Sequence, residues 1–186
     1  KFVATAATAT LVASAFAPVA SAATADASKF KDVASKYKDA VEFVVSKGAV
    51  GTSETTFGTD ANIKRGDAAV LLVNVLGLDI EKAPASGFKD VNTRLAKHIN
   101  ALKAAGITTG KTETTFDPDA KITRGELAIW VVKAFKLEGT TSKEFEDVNT
   151  VYKPYVSALV ANEITKGATE ETFGTTANAK RGDYAI

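Results

Sequence analysis

The stretch Phe88-Lys89-Asp90-Val91 decides how the chain is organised, because it occurs three times. The other copies, at spacings of 58 and 57 residues, are Phe30-Lys31-Asp32-Val33 and Phe145-Glu146-Asp147-Val148. A landmark that returns at a nearly fixed period indicates one supersecondary unit used three times. We therefore predict three repeats, over residues 29–86, 87–143 and 144–186, with the second helix of the third repeat cut short.

Further landmarks lie at fixed distances within each copy. A glycine stands six residues before a second phenylalanine, and an arginine stands eight residues after it. Each arginine is followed by glycine and then by an acidic residue. In the order of the repeats, the glycines are Gly51, Gly110 and Gly167, the phenylalanines Phe57, Phe116 and Phe173, and the arginines Arg65, Arg124 and Arg181.

The residues after the first landmark predict a helix in every copy. In the second copy, Leu95, Ile99 and Leu102 fall at helical spacing. A hydroxyl residue stands five positions after the first phenylalanine, where it could cap the helix. These predicted caps are Ser35, Thr93 and Thr150, and the predicted helix stops are Gly48 and Gly106, with Glu163 at the matching position of the third copy.

A second helix is predicted to begin near each arginine. Thr123 and Glu126 have the spacing of a capping box, in which each side chain bonds the backbone N–H of the other. A helical hairpin cannot bury its apolar side alone, but three hairpins can bury their apolar sides against one another. The expected fold is therefore all-α, one compact assembly of three helix-loop-helix units.

The N-terminal residues predict export. Residues 2–19 are uncharged and apolar or small, and Ala20-Ser21-Ala22 has the form of a signal-peptidase site. We interpret residues 1–22 as part of a signal peptide, and a transmembrane anchor is the disfavoured alternative because no stop-transfer cluster follows. The mature protein is then secreted, with no membrane partner.

Composition excludes several classes of function. Removal of residues 1–22 takes away one Lys, which leaves 22 basic and 22 acidic side chains and argues against nucleic acid as a partner. The absence of Cys excludes thiol catalysis and Cys-type metal sites. Asp117-Pro118-Asp119 does not continue as a calcium-binding loop. The acidic residues occur in triplicate with no unique constellation, so we predict neither an enzyme nor a cofactor or metal.

Taken together, the motifs Phe-x-Asp-Val, Thr-Phe in a Gly-containing loop, and Ile122-Thr123-Arg124-Gly125-Glu126 resemble the S-layer homology domain. The resemblance covers essentially all of residues 29–186. It implies a pseudo-threefold bundle with grooves between neighbouring repeats. It also implies non-covalent binding to secondary cell-wall polysaccharide, commonly with pyruvate ketals on N-acetylmannosamine, and localisation at the cell wall or S-layer.

The resemblance makes the arginine segments the candidate binding sites. A guanidinium can hold a carboxylate through two parallel N–H bonds, and the start of a helix could add unpaired N–H groups, with the following glycine leaving the backbone uncovered. The alternative is a structural arginine paired with an acid of its own or a neighbouring repeat. The predicted glycan-binding residues are Arg65, Arg124 and Arg181, with Lys64, Thr123 and Lys180 just before them, Asp32, Asp90 and Asp147, and Gly51, Gly110 and Gly167.

Several alternatives remain open at this point. The three Asp residues could instead fix a turn, and the glycines could serve the turn alone. Trp130, Tyr37 and Tyr152 are the only aromatics considered for stacking on sugar, while His98 is expected at the surface or in packing. The segment could tether a surface enzyme whose catalytic domain lies beyond residue 186. It could also be a protein-assembly module, and S-layer lattice contacts could lie in a region after Ile186.

Overall fold

The structure, a computed structural model, describes residues 26–186, so the predicted signal peptide at residues 1–22 lies outside the described residues. Each repeat forms two α-helices joined by a loop, as predicted. The first repeat contains α1 (Lys38–Ser46) and α2 (Arg65–Leu76), and the second contains α3 (Thr93–Ala104) and α4 (Arg124–Phe135). The third contains α5 (Lys153–Ala161) and α6 (Arg181–Ala185). Residues 26–186 form no β-strand beyond three isolated bridges.

Helix α3 begins at Thr93, the residue predicted as its cap, whereas α5 begins at Lys153, three residues after the predicted cap Thr150. Asn92 accepts the Leu95 N–H at 3.1 Å through its side chain, and Asn149 does the same for Val151 at 3.0 Å. Asn caps a helix as well as Thr does. The prediction that Thr93 and Thr150 are caps is therefore wrong.

The first repeat has no side-chain cap at this position. Ala34 stands where the other repeats have asparagine, and no side chain bonds the first turn. Ser35, the third predicted cap, lies in a 3₁₀ turn at Ser35–Tyr37, and α1 begins only at Lys38. The chain therefore enters α1 through a 3₁₀ turn, whereas it enters α5 through a turn at residues 150–152.

The predicted helix stops are confirmed. Gly48 and Gly106 follow the first helices with positive φ angles of 89° and 72°. Glu163 adopts a φ of 60° at the matching position. In all three repeats the left-handed residue and the one after it donate to carbonyls of the last helical turn, which closes the helix.

Neighbouring repeats share the core. The second helix of each repeat packs on the first helix of the next: α2 on α3, and α4 on α5. Helix α6 returns to α1, which closes the ring. The landmark phenylalanines anchor the core in pairs, with ring centroids 5.6 Å apart for Phe30 and Phe57, and all six are buried.

Candidate functional site

Three backbone hydrogen bonds in a cycle mark the centre of the bundle. The Ile63 N–H donates to the Ala179 carbonyl at 3.0 Å, the Ala179 N–H to Ile122 at 2.9 Å, and the Ile122 N–H to Ile63 at 3.2 Å. Each repeat donates one of these three equivalent bonds, as expected for units related by a pseudo-threefold axis. The start of each second helix lies two residues beyond this centre, at a junction between two repeats.

The junctions use the first backbone N–H groups of the second helices. Arg65 N–H donates to the Ala120 carbonyl at 2.9 Å and Gly66 N–H to the Pro118 carbonyl at 2.9 Å, both in the next repeat. Arg124 and Gly125 bond the third repeat in the same way, and Arg181 and Gly182 bond the first. These amides are therefore not free for an anion, and the expectation of unpaired N–H groups at residues 65–66, 124–125 and 181–182 is wrong.

The glycine after each arginine is covered by the neighbouring repeat. A Cβ at Gly66 would lie 2.7 Å from Leu95 Cδ1, and one at Gly125 would lie 2.7 Å from Thr175 Cγ2. Carbon atoms cannot approach this closely. Gly182 is equally enclosed, by the backbone of Thr59. These glycines thus permit close packing between repeats, and the expectation that they expose the backbone to ligand is wrong.

The Arg65 side chain crosses into the second repeat. Its guanidinium lies 5.0 Å from the ring centroid of Phe116 and 5.2 Å from that of Trp130. Its Nε donates to the Phe116 carbonyl at 3.0 Å, and its Nη1 lies 3.2 Å from Glu126 Oε1. Burial lowers the pKa of Arg65, and the Glu126 charge opposes that effect. Arg65 therefore has the structural pairing that the sequence left open.

Arg124 makes the same crossing with fewer partners. Its Nε donates to the Phe173 carbonyl at 3.0 Å, and its guanidinium lies 4.9 Å from the Phe173 ring centroid. The residue is half-buried, and among the described residues its two Nη atoms have no hydrogen-bond partner. A carboxylate could therefore be held by both Nη groups at once.

Arg181 reaches the first repeat in a different orientation. Its Nη2, rather than its Nε, donates to a carbonyl, that of Val50. Its guanidinium lies 4.8 Å from the Phe57 ring centroid, and the residue is only 9% exposed. Its Nε is buried and has no partner among the described residues. The three equivalent arginines therefore occupy three different electrostatic environments.

The residues just before the arginines also differ between junctions. Lys64 Nζ lies 2.7 Å from Asp119 Oδ1, and Lys180 Nζ lies 3.3 Å from Asp60 Oδ1. Both lysines therefore form a salt bridge to the next repeat. Thr123 instead forms the predicted capping box with Glu126, which is confirmed. The carboxylate partners Asp119 and Asp60 were not predicted from the sequence, although they lie four residues before Thr123 and Lys64, respectively.

The three predicted Asp carboxylates fasten loops. Asp32 accepts the N–H groups of Phe57, Gly58 and Thr59 at 2.7, 2.7 and 3.1 Å. Asp90 accepts the N–H groups of Phe116 and Asp117, and Asp147 accepts those of Phe173 and Thr175. Burial opposes ionisation of all three, but the backbone donors outweigh it and lower the pKa of each carboxyl. A turn-fixing role is thus present, and contact with glycan stays a prediction.

The predicted glycines of the loops lie against phenylalanine rings. A Cβ at Gly51, Gly110 or Gly167 would lie 2.4 Å from the ring of Phe30, Phe88 or Phe145. Only glycine fits so closely to a ring. Their presence is explained by packing, and a sugar contact stays a prediction for them as well.

The aromatic candidates are mostly enclosed. Trp130 is 4% exposed and stacks on Phe116, and Tyr37 is 4% exposed with its hydroxyl donating to Asp183 at 2.7 Å. Tyr152 is half-buried against Gly125. His98 is half-buried on α3, and burial lowers its pKa. Neither Trp130 nor Tyr37 presents a ring face on which a sugar could stack.

An apolar cavity of about 490 Å³ lies between α2, α4 and α6. Its lining includes Leu71, Val75, Leu127 and Val131, with Arg124 at one side. Such a lining suits hydrocarbon rather than a hydroxyl-rich sugar, which needs convergent polar groups. We therefore place the candidate site at the junctions and not in the cavity.

Residues 26–186 contain neither a cluster of metal-ligating side chains nor a membrane-spanning helix. No group of three or more His, Asp or Glu side chains in this range is arranged to hold a metal ion. Within the same range, every helix is too short or too polar to cross a membrane.

Comparisons with known proteins agree with the repeat pattern. The family model described as S-layer homology domain matches residues 29–69, 87–128 and 144–185. The chain is 36% identical over its whole length to the surface-layer 125 kDa protein of Lysinibacillus sphaericus, of which it covers 16%. It is 33% identical over 80% of its length to an S-layer protein of Bacillus licheniformis, of which it covers 17%.

A third relative bears the name of an enzyme. An uncharacterized cell wall amidase of Bacillus anthracis is 33% identical over 70% of the chain, which covers 26% of that protein. The chain thus spans between about a sixth and a quarter of the length of these relatives.

Proposed function

Since the chain belongs to the S-layer homology domain family, we propose that its junctions bind an anionic cell-wall polysaccharide and so hold an exported protein at the surface. The protein is secreted and associated with the cell wall or S-layer, and the triplet is a non-catalytic anchoring module. The finer part of the proposal concerns the ligand, which we take to carry pyruvate ketals on N-acetylmannosamine.

One observation supports this choice of ligand. A guanidinium lies at each of three equivalent junctions, and at Arg124 both Nη groups are free of partners among the described residues. A ketal pyruvate offers a carboxylate in a fixed orientation, which suits the planar fork of arginine. The balanced net charge of the chain means that such local groups, rather than a general basic field, must supply the attraction.

The experiment is a sedimentation assay with purified polysaccharide, before and after removal of its pyruvate. We expect Arg124→Gln to weaken binding by about tenfold or more, since a bidentate charge-assisted contact is lost. Lys133→Ala is the matched control, because Lys133 is exposed on the same helix. Circular dichroism verifies that both variants are folded. Equal binding to polysaccharide without pyruvate would contradict the carboxylate part of the proposal.

A second candidate concerns the whole protein. The amidase relative favours a role for the triplet as the tether of a surface enzyme, whereas the two S-layer relatives favour a lattice-forming subunit. Both roles use the same anchoring junctions. Sequencing of the gene beyond the codon for Ile186 separates them, because a catalytic domain would support the first role and oppose the second.

A further inference from the structure

The three junction arginines differ in how their charge is balanced. By the repeat symmetry, the acid two residues after each arginine faces the arginine of the preceding repeat. Glu126 therefore faces Arg65, Asp183 faces Arg124, and Asp67 faces Arg181. Only the first of these pairs forms an ion contact within 4.0 Å among residues 26–186.

The Glu126 carboxylate is held on several sides. Its Oε1 lies 3.2 Å from Arg65 Nη1 and also contacts Lys111 Nζ, while its Oε2 accepts the Thr123 N–H at 3.0 Å. The side chains of Arg65 and Glu126 are 3% and 15% exposed. The face of the Arg65 guanidinium is covered by Phe116 and Trp130. An internal carboxylate thus occupies the place that a ligand carboxylate would need.

The other two acids do not reach their arginines. Asp67 and Asp183 are one methylene shorter than Glu126 and are held elsewhere. Asp183 Oδ1 accepts a hydrogen bond from the Tyr37 hydroxyl at 2.7 Å, and Asp67 Oδ1 lies 3.7 Å from Arg94 Nη2. Arg124 consequently keeps both Nη groups free of partners within the described part of the chain.

Arg181 has the strongest need for an external anion. It is 9% exposed, no carboxylate of the described residues lies within 4.0 Å of it, and its buried Nε lacks a partner there. A buried charge is costly unless it is paired. An anion that enters this junction would supply the missing counter-charge.

We propose that Glu126 is an internal counter-ion that closes the Arg65 junction to the glycan, so that acidic sugar binds at the Arg124 and Arg181 junctions alone. This inference rests on the proposed function and adds which of the three equivalent sites is available. It makes Glu126 a residue that determines occupancy without touching the ligand itself.

The test follows the Nε–Hε signal of each arginine in NMR spectra of the 15N-labelled protein. The probe is the methyl glycoside of N-acetylmannosamine with a 4,6-pyruvate ketal. In the wild-type protein, we expect the Arg124 and Arg181 signals to shift on titration and the Arg65 signal to stay unchanged. In Glu126→Gln, the Arg65 signal should shift as well.

Glutamine is the appropriate replacement because it keeps the capping box and removes only the charge. Glu113→Gln is the matched control, since Glu113 is an exposed residue of the same repeat and should leave Arg65 unresponsive. The reciprocal variant Asp67→Glu lengthens the acid that faces Arg181, and it should weaken the response of that arginine. Thermal melts confirm that each variant is folded.

The outcomes separate this inference from the proposed function. An Arg65 signal that shifts in the wild-type protein would overturn the inference and leave the proposed function standing. An Arg65 signal that stays unchanged in Glu126→Gln while Arg124 and Arg181 respond would also overturn it. If no arginine responds in any variant, the ketal is not the ligand, and both proposals fail.

Discussion

Among residues 26–186, three residues other than glycine adopt left-handed backbone conformations, and each stands where another repeat has glycine. Asp117 replaces the glycine found at positions 58 and 174, Lys136 the one at position 77, and Glu163 the one at positions 48 and 106. A side chain with a Cβ is strained in this conformation. The repeat alignment therefore identifies three positions where the chain is less stable than its own pattern allows.

Glu163→Gly is expected to raise stability by about 1 kcal/mol, because glycine adopts the left-handed conformation without the Cβ clash. The side chain of Glu163 is exposed, so little contact is lost. The midpoint of urea unfolding measures the change. Gly106→Ala, which imposes the same strain on the second repeat, should lower the midpoint. A lower midpoint for Glu163→Gly would contradict the argument.

The loop carboxylates give stability a dependence on pH. The pKa of Asp32 is lowered in the folded protein, so its contribution is complete above the ordinary carboxyl pKa of about 4 and is lost as the pH falls through the folded value. Asp32→Asn should cost about 1–2 kcal/mol at pH 7, since the amide cannot bond all three N–H donors. Unfolding measured from pH 7 to pH 2 should show the variant and the wild type converging in acid. A constant difference over that range would refute the assignment.

At the residue scale, the sequence predicted the buried core residues better than the residues that cap helices or form ion pairs. The six phenylalanines are buried as expected, because repetition of a large apolar residue at one landmark has few explanations other than a core. Asn92 and Asn149 were missed because a hydroxyl residue stands directly after each of them. The contact between Glu126 and Arg65 joins two repeats, and no spacing within one repeat indicates it.

At the scale of the helix, the three second helices share an origin but not a cap. Thr123 bonds the Glu126 N–H at 3.2 Å and completes the box, whereas Lys64 and Lys180 make no side-chain cap. The capping box of Thr123 and Glu126 was predicted from the sequence, because capping depends on residues only three positions apart. The starts of the first helices were harder to predict, since neighbouring polar residues compete for the same role.

Exchange of threonine and lysine at the cap positions of α4 and α2 should change the free energy of unfolding in opposite directions. Thr123→Lys is expected to cost about 1 kcal/mol, and Lys64→Thr to gain a smaller amount, because the exposed Lys64–Asp119 pair that it removes contributes little. Chemical denaturation of the two variants and of Lys121→Thr, an exposed control near the same helix, measures both effects. Stabilisation by Thr123→Lys would show that the box has no net value.

At the scale of the whole molecule, the repeats form a closed ring rather than an open stack. Tyr37 of the first repeat contacts Asp183 and Gly182 of the third, and the central backbone bonds join all three repeats. Periodicity alone is compatible with a linear solenoid, in which the end repeats do not meet. The closure could be expected only from the resemblance to a family with a threefold bundle, and the structure confirms it.

Ring closure predicts a single cooperative unfolding transition. Ile122 is fully buried at the centre, and Ile122→Ala should cost about 2–5 kcal/mol and lower the stability of all three repeats together. Fluorescence of the sole tryptophan, Trp130 in the second repeat, and far-ultraviolet circular dichroism should report the same midpoint. Val151→Ala, at a residue 63% exposed, is the control and should change little. Separate midpoints for the two signals would show that the repeats unfold independently.

Each junction arginine is covalently part of one repeat while its guanidinium lies within the next. An acidic sugar held by the guanidinium of Arg124 or Arg181 would consequently brace two repeats against separation, in addition to attaching the chain. Tighter binding of the polymer then also makes separation of the two repeats less favourable. A molecule released from its polymer loses this brace, and proteases at the cell surface would digest detached copies faster than anchored ones.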